Sequence, residues 1–555
     1  MTIPFKNDFL FQRSTPEDDH YIAAVLEYQV NSNVEQNIEN YVRHVQEAAE
    51  QNADVVVFPE MTLTRGARAA PVPINGLLKD YPVPALNPEF YDEILVRISS
   101  AARQNEVYVV INIQEQMDCT NAVGELCPEE IIYLFNTNVV FDRTGAVIDR
   151  YRKINLFGEA TRFPALEPDL GLFTTDFGVT FGHFICFDLM FQVPAVQVAE
   201  KHNLTDIIFT TMWFSEMPFL TAVQIQEAYA YAMNVNFIAS GANNVRVGSA
   251  GSGIYSGKAG ALVSTMPGLP ATRLLVSRVP KVPGEVDFEY PGPIYDSPTD
   301  HDSLVLITDP SLPSHISRQL VDGFQEFTLV DKEVSCTFRA RLNHRNGQTL
   351  YTYRATAFSG VRSFSGVETG GSRVCSVVAC IGDSITTCGK RFAEYTYNST
   401  GLFEELTIMA TVPAPVTDPT LDARDTAFFP VSMDVSIMPL EPTEYSYNED
   451  PQGDVTTYTL SLLNTERDLY AFSVWGRVFA WDGFDASPPV EENEPTDPPI
   501  VTDPPIVTDP PIVTEPPVVT DPPTAEPETP EPDSGTMHVI SIVTLLLGLS
   551  MLTLV

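Results

Sequence analysis

Basic side chains are scarce in this 555-residue chain: 32 Lys and Arg stand against 73 Asp and Glu, a formal charge of −41. Phosphate recognition needs clustered Lys and Arg, so DNA and RNA binding are excluded. An anionic membrane surface is an equally poor partner, and much of the acidity makes a soluble, self-repelling exterior. Also missing is an apolar run at the start. Met1 to Asp19 contains Lys6, Asp8, Arg13, Glu17 and Asp18 and lacks the hydrophobic core of a signal peptide. Cysteine is sparing, with seven at Cys119, Cys127, Cys186, Cys336, Cys375, Cys380 and Cys388. An odd count in a secreted chain points to one free thiol. Setting Cys186 aside leaves six, enough for three disulfides. Cys119 and Cys127 flank a short polar loop and are expected to pair, whereas the other four allow three pairings. Seven reduced thiols would instead suit a cytosolic protein. No metal or cofactor is expected.

What is present is chemistry at strand ends. Cys186 lies in Phe184-Ile185-Cys186-Phe187-Asp188-Leu189-Met190-Phe191, directly after the strand-like run Val179 to Ile185. Val55-Val56-Val57-Phe58-Pro59-Glu60 is a buried-strand pattern ending in a carboxylate, and Tyr151-Arg152-Lys153 places a lysine after another such run. A thiol near pKa ~8.5 needs a base or a cation to supply thiolate. Glu60 can take that proton and later deliver it to a departing amine. Lys153 is a compact cation that can stabilise a thiolate and an oxyanion. The backbone N–H of Phe187 offers a second oxyanion donor. His183 need not be the base, because three residues along a strand put it on the opposite face from position 186. Singly, each of the three is as well explained by a core thiol, a loop carboxylate or a solvated charge.

From Tyr21 to about Ser264, short apolar strands alternate with amphipathic helical stretches, which indicates an α/β domain. Strands are expected over Ile22–Tyr28, Val55–Phe58, Val107–Ile113, Leu134–Phe141, Val179–Ile185 and Ile207–Thr211, and helices over Val34–Gln51, Glu89–Gln104, Pro194–His202 and Phe219–Met233. From Asp302 to Phe484, Thr, Val, Ser and Tyr dominate and helix periodicity fades, so a β-rich second domain follows. It either supports the first or lends a loop to the substrate entrance. Ser487 to Pro532 is low complexity, with Thr-Asp-Pro-Pro-Ile-Val beginning at Thr496, Thr502 and Thr508. Such proline density favours extended polyproline II, and threonines beside prolines suit O-glycosylation, which reads as a stalk.

Val539 to Val555 is an uncharged, predominantly apolar tail behind the small residues Asp533-Ser534-Gly535-Thr536. That is the pattern of a GPI-attachment signal, with Ser534 the favoured site; a short tail-anchored span is the rival. Since a GPI protein must enter the secretory pathway, the true start is expected upstream of Met1. Asn203-Leu204-Thr205 and Asn398-Ser399-Thr400 are glycosylation acceptors on that route.

Together the Glu60, Lys153 and Cys186 segments, with Thr211-Met212-Trp213-Phe214 and Gly251-Ser252-Gly253-Ile254-Tyr255, resemble the nitrilase superfamily and its vanin and biotinidase branch, from about Tyr21 to about Trp481. The resemblance implies a Glu-Lys-Cys triad in an α-β-β-α sandwich over residues 20–290, behind a lead of residues 1–19. It further implies a small β-rich vanin-type domain at 291–486, then the stalk at 487–533 and the anchor signal at 534–555. Glu159 matches the further carboxylate of many nitrilases, or is a loop carboxylate. Phe187 and Trp213 are candidate walls of the acyl pocket, though Trp213 could equally be core. Asp188 is expected to bond backbone at the turn. The segment after Cys186 departs from nitrilases that carry an Arg there for a substrate carboxylate, which implies a neutral acyl group. The expected activity is cell-surface amide hydrolysis, with pantetheine favoured, biotin amides as the rival and a silent adhesion ectodomain as the alternative from another class.

Overall fold

The computed structural model describes residues 13–490 except 65–67, 298, 345–350 and 393–399. Asn398, the stalk from residue 491 on, Ser534 and the apolar tail lie outside the described residues. Among the described residues no helix is long and apolar enough to cross a membrane.

Two sheets build the first half of the fold. In one, the strands run in the order 273–280, 20–29, 55–57, 108–118, 132–141 and 147–152. In the other the order is 171–174, 180–185, 206–211, 236–243, 252–256, 261–265 and 292–294. They meet where Tyr28 and Gln29 pair with Ala242 and Asn243. Strand alternation sends successive side chains to opposite faces, and that period produces the layering. Val55 and Val57 join Tyr21, Val110, Phe181, Ile208, Ile238 and Ile254 in a core between the sheets. Val56, Ala24, Leu26 and Ile111 face the other way. There they meet the helices Val34–Glu50 and Glu93–Asn105 through Ile38, Tyr41, Val45, Leu95 and Ile98. The helix Ala222–Met233 covers the outer face of the second sheet, with Tyr229 against Phe184 and Phe237. The result is the α-β-β-α sandwich that the resemblance implies.

The expected elements are present with shifted ends. The strand expected over Val107–Ile113 runs Tyr108–Asp118. The helix expected over Pro194–His202 is α-helical from Gln197 to His202 and is preceded by a π turn, Gln192–Val196, in which Val193 has non-helical backbone. Beyond residue 315 the chain is antiparallel β, as two five-stranded sheets. Cys336 of one is bonded to Cys375 of the other, so that bridge crosses between the sheets. Cys119 pairs with Cys127 as expected, and Cys380 with Cys388. Of the three pairings open to the last four cysteines, the fold selects this one.

Ile208→Ala should lower stability by about 2–5 kcal/mol, the range for truncating a buried aliphatic side chain. Denaturant unfolding checks it, and a loss well under 1 kcal/mol would show that the two sheets do not share that core.

Candidate active site

Cys186 directly follows the strand Thr180–Ile185, and the chain turns there with Cys186 in the left-handed region at φ 50°. For a non-glycine residue that backbone is costly and persists only where the surroundings hold it. Asp188 is what holds it. Its carboxylate accepts from the backbone N–H of Ile185 and of Asn155, from the Asn155 amide and from the Tyr151 hydroxyl, at 2.7–3.2 Å. Burial pushes this carboxyl up to about 6 even against Lys153 and these donors. Asp188 thus bonds backbone at the turn, as its position suggested.

The three strand ends converge. Lys153, one residue beyond the strand Val147–Arg152, is 1% exposed. Its Nζ donates to Glu60 Oε1 at 2.9 Å and to Glu159 Oε1 at 2.5 Å. Glu60 stands three residues past Val57 and also accepts from the Met212 N–H at 2.7 Å. Glu159 stands on a loop but is buried there as a partner of Lys153. Cys186, the free thiol among the described cysteines, is buried with Sγ 3.7 Å from the Met212 carbonyl. His183 points elsewhere, its Nε2 being 2.7 Å from Asp149.

The electrostatics follow from burial and charge. Burial raises the Cys186 thiol far above its ordinary value, the Glu60 carboxylate adds to that, and Lys153 opposes it. For Glu60 burial also favours the neutral form. The charge and hydrogen bond of Lys153 outweigh it, so the carboxyl sits below its usual value. Lys153 is driven toward neutrality by burial, but Glu159 and Glu60 hold it well above the normal lysine value. The resting site is thus a thiol beside an ionised carboxylate and an ammonium. Two of the three ammonium N–H bonds are spent on carboxylates, leaving one donor.

Sequence reading missed the support for these groups. Asn136 Nδ2 donates to both Glu60 Oε1 at 2.7 Å and Glu159 Oε2 at 3.1 Å. Asn112 in turn donates to Asn136 and Asn138 and accepts from the Met61 N–H. The available signal was an asparagine inside each of two apolar strands, where an amide must find buried partners. Also missed were the parts of the cavity wall that come from Glu216 and from the β-rich half. Phe157, Cys186, Phe187, Trp213, Phe214, Glu216, Leu220, Phe364 and Ser365 line one cavity. Phe187 and Trp213 fall in it as expected, and Trp213 is also buried, its indole N–H bonded to the Leu220 carbonyl. Phe364 and Ser365 come from the β-rich half, so a turn of that domain does reach the pocket. Asn203, by contrast, is an exposed residue ending the helix Gln197–His202, away from this cavity.

Because Glu60 raises the thiol and Lys153 lowers it, Glu60→Gln should make Cys186 more acidic. The thiolate fraction at pH 8 should then rise about tenfold for each unit the thiol pKa falls, and alkylation by iodoacetamide should speed up by about threefold per unit, since nucleophilicity falls with pKa. A rate equal to or below wild type would contradict this charge balance.

Residues 22–262 match the Carbon-nitrogen hydrolase family and residues 306–482 match the Vanin C-terminal domain. Vanin-like protein 1 of Drosophila melanogaster is 32% identical over 510 residues, covering 84% of this chain and 87% of that one. Human biotinidase is 28% identical, covering 70% of this chain and 79% of its own, and human pantetheine hydrolase VNN2 is 27% identical, covering 67% and 76%. With its buried Glu-Lys-Cys cluster in a four-layer sandwich and a β-rich second half, the chain belongs to the vanin and biotinidase branch of the carbon–nitrogen hydrolases and is a hydrolase of carbon–nitrogen amide bonds.

Proposed function

We propose that residues 20–290 cleave a linear amide through a thioester, with Cys186 as nucleophile, Glu60 as general base and acid, and Lys153 as oxyanion stabiliser. The observation that carries this reading is the ammonium of Lys153, hydrogen-bonded to Glu60 and Glu159 and charge-coupled to the free thiol. Cys186 Sγ attacks the carbonyl carbon as its proton passes to Glu60, and the carbonyl electron pair collects on oxygen. The unused Lys153 N–H and the Phe187 backbone N–H meet that oxyanion. Collapse expels the amine, which takes the proton from Glu60, and leaves the acyl thioester. Water, deprotonated by Glu60, then attacks the thioester, and the thiol recovers its proton as the acid departs. Glu159 and Asn136 keep Lys153 and Glu60 in place throughout. A silent adhesion module has no physical need for a buried ion cluster around a free thiol.

For the acyl group we favour pantetheine, giving pantothenate and cysteamine, because the walls near Cys186 are aromatic and no Arg follows Asp188 in the nucleophile turn. Relatives named for biotin and for pantetheine hydrolysis are about equally similar, so biotin amides remain the second substrate class. Cys186→Ala should abolish turnover, Glu60→Gln should cost ~10²–10⁴-fold and Lys153→Ala at least ~10²–10³-fold. Steady-state release of cysteamine from pantetheine, and of lysine from biocytin, measures both the roles and the preference. Near-normal rates in a variant refute its role, and a clear preference for biocytin moves the enzyme to biotin amides.

We further propose that it works at the outer cell surface on a lipid anchor near Ser534, with glycans on Asn203 and Asn398. Three disulfides support an oxidising compartment, and the Pro/Thr-rich stretch and small-residue run before the apolar tail support a stalk and anchor. Phosphatidylinositol-specific phospholipase should release the protein from cells secreting it. Finding Val539–Val555 in the mature chain would overturn the anchor.

A further inference from the structure

The cavity beside Cys186 has one polar wall, and its two halves come from different domains. Glu216 belongs to the segment after Trp213, and Ser365 to the turn joining the strands Thr352–Phe364 and Glu368–Cys380. Ser365 has φ 52°, a left-handed backbone unusual for serine. In that conformation its N–H and its hydroxyl both donate to Glu216 Oε2, at 2.7 and 2.9 Å. Glu216 Oε1 accepts from Arg362 Nη2, and Arg362 also lies 3.3 Å from Asp309. Arg362 is 2% exposed and does not line the cavity.

Counting valences decides what this wall can read. A carboxylate has about four acceptor sites. Two on Oε2 are taken by Ser365 and one on Oε1 by Arg362, so the remainder is acceptor only. The Ser365 hydroxyl has given its single proton to Glu216 and keeps only lone pairs. The Trp213 N–H is already bonded to Leu220. Every unused side-chain hydrogen-bonding position on the Glu216–Ser365 wall therefore accepts. The buried charges at and behind it are two guanidiniums, Arg362 and Arg477, against the carboxyls of Glu216, Asp309 and Asp482, so the wall holds no surplus positive charge for a carboxylate.

We propose that Glu216 and Ser365 determine acyl-group specificity, selecting a neutral acyl chain that presents a hydroxyl or N–H donor to this wall. The inference rests on the amide-hydrolase reading above and goes beyond it by naming the residues and the group they recognise. An acyl chain lacking the donor leaves the buried acceptors unpaired, and a carboxylate meets them with like charge. Five aromatic side chains (Phe157, Phe187, Trp213, Phe214 and Phe364) line the rest of the cavity, so discrimination falls on the polar pair.

The test uses two amides with the same leaving amine, one with a hydroxylated acyl chain and one with its deoxy counterpart. We expect wild-type kcat/KM to favour the hydroxylated amide by at least about 10²-fold, as for sites built to bond a substrate hydroxyl. Ser365→Ala, which keeps the backbone bond to Glu216, should shrink that ratio by about tenfold or more. Glu216→Gln should shrink it in the same direction, with thermal unfolding confirming a folded protein. Calorimetric binding of both amides to the Cys186→Ala protein should show the same preference without turnover. Equal wild-type use of the two amides, or a ratio that Ser365→Ala does not move, overturns the inference while amide hydrolysis stands. If wild type cleaves neither amide and the Cys186→Ala protein binds neither, the underlying reading falls and this inference falls with it.

Discussion

Everything in this site depends on keeping one ammonium charged while it is almost completely buried. Lys153 is 1% exposed and is flanked by Glu60 and Glu159, whose carboxylates Asn136 bridges. Removing one partner of such a buried pair commonly costs about 3–5 kcal/mol, because the other charge is left uncompensated. The cluster is thus both a structural constraint and a source of reactivity. It keeps Glu60 ionised and able to accept a proton, while the same burial keeps the thiol of Cys186 protonated at rest. On the mechanism proposed above, substrate therefore meets a base and a protonated nucleophile rather than a standing thiolate.

The constraint also explains the architecture. Glu60 and Lys153 follow strands of one sheet, and Cys186 follows a strand of the other. Only a core that fixes the spacing of the two sheets can hold the sulfur and the ammonium in register. The alternation of Val55, Val56 and Val57 between the two sides of the first sheet is the simplest expression of that core. Met212, after the next strand of the second sheet, reaches back to Glu60 through its N–H and to Cys186 through its carbonyl, linking the sheets at the site itself.

The β-rich domain is part of the same machinery. Arg477, fully buried, donates from Nε to the Met190 carbonyl at the end of the nucleophile turn, and Phe364 packs edge-on against Phe187 with ring centroids 5.2 Å apart. Asp188 fixes the turn from within the first domain, and Arg477 and Phe364 fix it from the second. The Cys336–Cys375 bridge ties the two sheets of the second domain together.

Much of this was legible in the chain. Apolar alternation and its switch to helical spacing marked the α/β half, because burial on both faces of a strand leaves a local pattern. The strand-end positions of Glu60, Lys153 and Cys186, and the odd cysteine count, singled out the chemistry for the same reason. The pairing of Cys336 with Cys375 could not be read locally, since it depends on which strands of two sheets face one another. The roles of Asn112 and Asn136, the burial of the loop residue Glu159 against Lys153, and the joining of Glu216 to Ser365 lay beyond the sequence too. Glu216 and Ser365 are separated by 149 residues, and no periodicity connects them. Local pattern determined which elements form and which side chains can react, and tertiary packing decided which buried polar groups must satisfy one another, because unpaired polar groups are costly only once water has been excluded.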